Sequence, residues 1–294
     1  MKIPLYPDSR AIEMADKKLL DRIFSDLEPR VSELSFAGLY LFRVAHDYRL
    51  TMIGDAVVVI GKGYDDNRYC LPPLCGDIQK ALTVLFYDDW SIYGADEQFS
   101  RQYFSADNIQ LTEDRDSFDY LYLRQELALL QGNRFHKKNN RINYFTKRHH
   151  YQLSEYSAQY CGGCQELLDR WFLAVRDKTG PSLALEVSAT SEALRITADL
   201  GLSGIVVMVD GMVAGFAIGE KLNSDTAVCH FEKADPFIEG VSQLVNREFA
   251  RQLFTDCRYI NREQDLGDAG LRNSKLSYHP VELVKKYRAS SVHS

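Results

Sequence analysis

The chain has 294 residues, 45 % of them hydrophobic and 26 % charged, and a formal net charge of −6. This is the composition of a soluble globular protein with room for one large domain or two ordinary ones. The acidic balance excludes wholesale coating of nucleic acid and leaves room for a local basic patch.

The N-terminus lacks the apolar core of a signal peptide. The most apolar run, Ile205 to Ile218, is broken by Asp210 and Gly211, so no integral membrane segment is expected and the predicted location is cytoplasmic. Six cysteines in that setting read as free thiols. Asp8 or Ser9 can cap a helix from Arg10 to Leu27, with Ile12, Ala15, Leu19, Leu20 and Ile23 at helical spacing. Phe36–Val44, Tyr48–Ile53 and the β-branched Asp55–Ile60 read as strands. Asp77 caps a helix through Phe86, residues 96–105 form a short helix, and Phe118–Leu123 form a strand. Leu127–Leu130 and Phe135–Lys147 are helical, and Ser154 begins a longer helix whose Leu167, Leu168, Trp171, Phe172 and Val175 share a face and which Gly180-Pro181 stops. Then come a helix Ser191–Leu200, a strand Gly204–Val209, an Asp210-Gly211 hairpin turn, and strands Val213–Lys221 and Thr226–Glu232. A helix Glu239–Phe254, a strand Arg258–Glu263, a helix Asp268–Ser277 and a strand Val281–Tyr287 close the chain. The boundary falls near residues 148–154, giving domains 1–150 and 151–294.

Chemistry-bearing side chains are densest in the closing stretch, INREQDLGDAGLRNSKLSYHP at 260–280. With VDGMVAGFAIGE at 209–220, HFEKAD at 230–235 and LALLQGNRFHKKNNRINYF at 127–145, it resembles a bacterial family related to the C-terminal domain of phosphatidylglycerol lysyltransferases. The element order of residues 154–289 is similar to the N-acetyltransferase-like (GNAT) fold. The resemblance implies an α/β (α+β) chain of two tandem GNAT-like units, as in Fem-type aminoacyltransferases. Each would be a mixed, mostly antiparallel sheet flanked by helices, with the first half a diverged copy of the second. Two departures stand out. Lys138-Asn139-Asn140 replaces the family's Lys-Arg-Asn, and the membrane-spanning portion of full-length lysyltransferases has no counterpart in these residues.

The fold implies acyl transfer to an amine or hydroxyl acceptor, with an acyl-CoA or an aminoacyl-tRNA as donor. Coenzyme A binding needs a glycine-rich turn whose backbone N–H groups meet the pyrophosphate at a helix N-terminus. Residues 234–241 offer one glycine, Gly240, with Asp235 and Glu239 to repel phosphate, which favours aminoacyl-tRNA slightly over acyl-CoA. Acids at a helix N-terminus also suit the dipole of an ordinary helix.

The basic segment 134–150 has six Lys/Arg and no acid, and puts Lys137, Arg141 and Arg148 near one face with Tyr144 and Phe145 interleaved. Together with Lys138 it reads as a phosphate contact for tRNA or another nucleotide-bearing donor, or else as a solvated helix whose charges pair with acids in 107–126. Glu232 is the candidate general base, with His230 on the same side of the strand. Its other reading is a buried ion pair with Lys275 or Arg272. Asn261 and Glu263 share a strand face and join Glu232 and Tyr278, a proton donor to the leaving group, as candidate catalytic residues. Lys275 and Arg272, three apart on a helix, join His230, Lys137, Lys138 and Arg141 as substrate-binding candidates, or form an ion network with Asp265. The transferase reading expects these groups to line a crevice between the halves. The competing reading is a non-catalytic ligand-binding or regulatory protein whose crevice is filled by its own side chains. Cys161-Gly-Gly-Cys164 lacks the partners of a zinc site or the context of a redox site, and no metal site is expected.

Overall fold

In the computed structural model, residues 2–104, 108–176 and 182–292 are described. They form two compact units. Met1–Asp119, Gln264–Arg272 and Leu283–Ser294 make up one, and Tyr120–Glu263 with Asn273–Glu282 the other. Residues 120–150 thus pack with the second unit and the C-terminal strand with the first, which a single cut at 150/151 does not express.

The first unit is built on a sheet ordered Arg10–Ala11, Arg49–Ile53, Ala56–Lys62, Arg68–Cys70, Ser91–Ala95, Tyr287–Ser291, Ile109–Glu113. All its neighbours are antiparallel except Arg68–Cys70 against Ser91–Ala95. Val58, Ile60, Ala81, Leu85 and Ile92 lie at its core. Three expectations are corrected here. Phe36–Val44 is not a strand: Phe36–Leu41 is a helix, because the Ser35 hydroxyl accepts from Gly38 N at 3.0 Å and caps it. A short unbroken apolar run does not by itself separate helix from strand. The first helix is Lys17–Leu27, not one starting at Arg10. Arg10 is drawn into the sheet opposite Leu50, and its guanidinium grips both Asp16 oxygens at 2.7 and 2.6 Å. The last predicted strand splits into Glu282–Val284 and Tyr287–Ser291, the latter in this unit's sheet. Between the two, Lys286 is fully buried on Glu33 and Asp119, and Asp119 also receives the Ser32 N–H and hydroxyl at 2.8 and 2.9 Å.

The sheet on which the second unit is built runs Glu282–Val284, Asp119–Leu123, Tyr259–Asn261, Thr226–Ala234, Met212–Lys221, Ser203–Val209, Tyr151–Glu155. The Asp210-Gly211 turn takes the two positive φ values, 50° and 80°, of a type I′ hairpin. Tyr151–Glu155 pairs with Ser203–Val209, so the helix expected from Ser154 begins only at Cys161 and runs to Val175. This edge strand is mostly polar and half-exposed, which left it without an apolar period to read. The expected Ser191–Leu200 helix is two pieces, Ser182–Arg195 and Thr197–Leu200. The predicted Gly180-Pro181 stop lies outside the described residues.

A parallel ladder in this sheet holds the key geometry. Thr226–Val228 pairs with Tyr259–Asn261, but the first strand continues to Ala234 while the second ends at Asn261. The two strands therefore part beyond Val228. The helix Val241–Gln252 follows the longer strand and packs against the helices Arg124–Leu129 and His136–Thr146.

Candidate functional site

The parting strands place two charge pairs in the second unit. The first is centred on His230, whose neighbours pair across the strand as Ile218↔Phe231 and Gly219↔Cys229, so His230 is the extra residue of a β-bulge. Gly219 is required there, since a Cβ would lie 2.0 Å from the Val228 carbonyl oxygen. The His230 ring, 1 % exposed, bonds Glu263 Oε1 through Nδ1 at 2.8 Å and Glu220 Oε1 through Nε2 at 2.9 Å. Burial disfavours its charge, but hydrogen bonds to Glu220 and Glu263 outweigh this and raise its pKa to about 10. It is an imidazolium clamped between two carboxylates at neutral pH.

The second pair is Glu232 with Arg262. Glu232 Oε2 accepts from Arg262 Nη2 and from Asn246 Nδ2, both at 3.1 Å. The guanidinium lies 5.0 Å from the Tyr278 ring centroid and 5.8 Å from that of Tyr122. Burial works against the Arg262 charge, while Glu232 and the surrounding aromatic rings hold it in place. Among the described residues, Arg262 Nη1 and Asn246 Oδ1 are buried without a hydrogen-bond partner, and such groups lose stability unless something satisfies them. Lys138 completes the cluster: its Nζ lies 4.0 Å from the Tyr278 ring centroid and donates to Ser277 Oγ at 2.6 Å. Burial, reinforced by the positive Arg262 and Arg141, lowers its pKa to about 8.

The remaining candidates have other partners. Asn261 is fully buried, and its Oδ1 accepts from Glu263 N at 2.7 Å. That bond turns the chain out of the strand at Glu263, whose φ is +56°, so the two side chains do not share one role. Lys275 Nζ is buried and donates to the carbonyls of Arg262 and Glu263 at 2.6 and 3.1 Å. It fastens the helix Ala269–Leu276 beneath the cluster. Tyr278 is 3 % exposed, and burial pushes its phenol well above the usual range. Arg272 belongs to the first unit, where it holds Asp265 through Nε and Nη2 at 2.9 and 2.7 Å and Asp116 at 2.7 Å. The anticipated Glu232 partners, Lys275 and Arg272, are thus replaced by Arg262.

Lys137 and Arg141 are exposed on the helix His136–Thr146. The anticipated pairing of the basic segment with upstream acids is met by Arg134 on Glu126. Among the described residues Lys137, Arg141 and Lys147 make no ion pair. Lys233 points the other way from Glu232, onto Glu186 and the Trp171 ring. Gly240 ends the turn before the helix Val241–Gln252, and a Cβ on it would lie 2.1 Å from the Arg141 carbonyl oxygen and 2.9 Å from Phe145 Cβ. The backbone of the basic helix therefore abuts the helix N-terminus at which a coenzyme A pyrophosphate would have to sit. The cysteines are free, and among the described residues no group of His, Cys, Asp and Glu is placed to hold a metal ion. No described helix is long and apolar enough to cross a membrane.

Residue patterns alone missed Arg262, Asn246 and Glu220 as members of the site. Strand alternation would have flagged Glu220 only if the bulge at Gly219 had been visible. Arg262 lies just past the last ladder pair, where alternation no longer applies.

A long antiparallel hairpin, a parallel neighbour that diverges, and a helix at the parting define the GNAT architecture. The chain is an α/β protein of two tandem GNAT-like units, each a mixed, mostly antiparallel sheet flanked by helices. It belongs to the family described as phosphatidylglycerol lysyltransferase, C-terminal, which matches residues 24–290. A conserved protein of unknown function from Bacteroides thetaiotaomicron VPI-5482 is 30 % identical at a TM-score of 0.88, covering 96 % of this chain and 99 % of its own. L-PGS from Bacillus licheniformis shares the fold at a TM-score of 0.65 and 12 % identity, over 100 % of this chain and 95 % of that one. FemX does so at 0.57 and 9 %, over 96 % of each. An uncharacterized protein of Mycoplasmoides gallisepticum is 24 % identical over 173 residues, which span 58 % of this chain and about half, 55 %, of that relative.

Proposed function

We propose that this chain transfers an aminoacyl group from an aminoacyl-tRNA to an amine or hydroxyl acceptor. The observation that carries the choice of donor is the contact of Gly240 with the Arg141 carbonyl. A pyrophosphate needs free N–H groups at that helix end, and there the space is taken by backbone. Membership of the lysyltransferase family and the fold shared with FemX support the same reading. In it, Glu232 takes the proton from the attacking group, whose new bond to the aminoacyl carbonyl carbon replaces the ester bond to the ribose oxygen of the tRNA, and that oxygen leaves as a hydroxyl with the proton returned to it, while Arg262 fixes the Glu232 carboxylate. Lys138, with its pKa of about 8, binds the developing oxyanion as an ammonium or relays a proton near neutral pH. His230 and Lys275 position Glu263 and the Arg262–Glu263 backbone. Phosphates of the donor meet Lys137 and Arg141.

The test is turnover of radiolabelled aminoacyl-tRNAs, charged with each amino acid in turn, with amines and with phosphatidylglycerol vesicles as acceptors and acetyl-CoA as a parallel donor. Transfer from at least one aminoacyl-tRNA, reduced about 100-fold or more in Glu232→Gln, is expected. Turnover of acetyl-CoA alone would overturn the donor assignment.

One observation favours a second reading, a non-catalytic binding protein. The space between the parting strands holds the chain's own pairs, Glu232–Arg262 and His230–Glu263. Thermal stabilisation by a ligand without any turnover across the same panel would select it.

A further inference from the structure

We propose that the turn at residues 235–238 and the exposed side of the helix His136–Thr146 form a stacking platform for a single-stranded RNA end. The proposal rests on the aminoacyl-tRNA reading above and adds where, and by which groups, the unpaired strand is held. Phe237 is 81 % exposed and Tyr144 41 %. A lone exposed aromatic is ordinary, but these two sit on elements that touch, since Gly240 at the end of the turn packs against Arg141 and Phe145. The turn is also stiff. Asp235 Oδ1 accepts from Phe237 N at 2.9 Å, Asp235 O accepts from Ile238 N at 3.3 Å, and the Asp235 carboxylate is neutralised by Arg170 at 3.6 Å. Phe237 is therefore presented to solvent by a built device.

Tyr144 is already stacked, with the Arg148 guanidinium 3.6 Å from its ring centroid, and both planes accept a base. Around them Lys137, Arg141 and Lys147 are exposed, and no acid occurs between Glu126 and Glu155. Glu239, exposed beside the turn, is an acid that opposes the patch. Cations tracking a backbone with aromatics between them are the composition of a single-strand site. A lipid surface would instead need a broad apolar face, and the exposed side of this helix is Asn, Lys, Arg, His, Thr and Tyr.

The test uses the full chain and a short, unstructured cytidine–adenosine oligoribonucleotide, followed by fluorescence anisotropy across a salt series. Phe237→Ala and Tyr144→Ala are expected to weaken binding about 5- to 100-fold each with the salt slope unchanged. Arg141→Gln and Lys137→Gln are expected to reduce that slope by about 0.7 each. All four side chains are exposed, and unchanged melting curves check that the variants fold. Tighter binding of an RNA duplex, equal binding by the aromatic variants, or capture of phosphatidylglycerol vesicles without RNA binding would overturn the platform. Aminoacyl transfer that persists undiminished in the four variants would overturn the platform and leave the donor reading standing. RNA binding lost in the variants, with no transfer by the wild type, would do the reverse.

Discussion

Replacing Gly240 by Ala tests the packing on which the donor assignment depends. Gly240 has φ +91° and ψ −15°, a left-handed backbone that costs an L-residue roughly 1–2 kcal/mol. The new methyl would also start 2.1 Å from the Arg141 carbonyl oxygen and 2.9 Å from Phe145 Cβ. Relieving that collision means moving the helix His136–Thr146 away from the helix Val241–Gln252, an overpacking cost of about 1–3 kcal/mol. The total is about 2–5 kcal/mol. Gly211 supplies the control, with φ +80° and nothing within 4 Å of a built Cβ, so Gly211→Ala carries only the backbone cost. The assay is urea unfolding followed by circular dichroism, comparing midpoints at equal slope. Equal losses in the two variants would show that the helix N-terminus is not pressed against Arg141, and the case against a pyrophosphate site there would fall with it.

Three further outcomes follow from the buried charges. The folded pKa of His230, about 10, lies above its unfolded value of 6.5, so its stabilising contribution is complete below about pH 6.5 and is lost as pH rises through 10. The stability gap between the wild type and His230→Gln, measured by urea unfolding at a series of pH values, should therefore shrink from pH 6.5 toward 10, and a constant gap would contradict it. The Lys138 pKa of about 8 is lowered by burial, Arg262 and Arg141 and raised by Glu232. Titration of its Cε resonance by NMR should give a lower value in Glu232→Gln and a higher one in Arg262→Gln. In the first unit, Lys286→Met would leave Glu33 and Asp119 buried without their cation, at a cost of about 3–5 kcal/mol. Burial already pushes the Glu33 carboxyl up, so the variant should regain stability as pH falls. Failure to do so in thermal melts would refute the pairing.

Residue patterns by themselves settled what local rules govern. Asp77 caps the helix it precedes, Asp210-Gly211 turns a hairpin, and the helical spacing of Val241, Leu244, Val245 and Phe249 forms a helix with that face buried. Each depends on neighbours within a few residues, so the order of the second unit and its motif resemblance were legible. The tertiary structure alone decided what depends on distant partners. Tyr287–Ser291 crosses to a sheet made mainly of the first 113 residues. Glu232 was legible as a polar residue on a central strand, but not that its partner would be Arg262, just beyond the strand's end. A bulge at Gly219 and the end of pairing at Asn261 set which charges meet. Both are properties of a ladder between strands, and a ladder is written in no single stretch of chain.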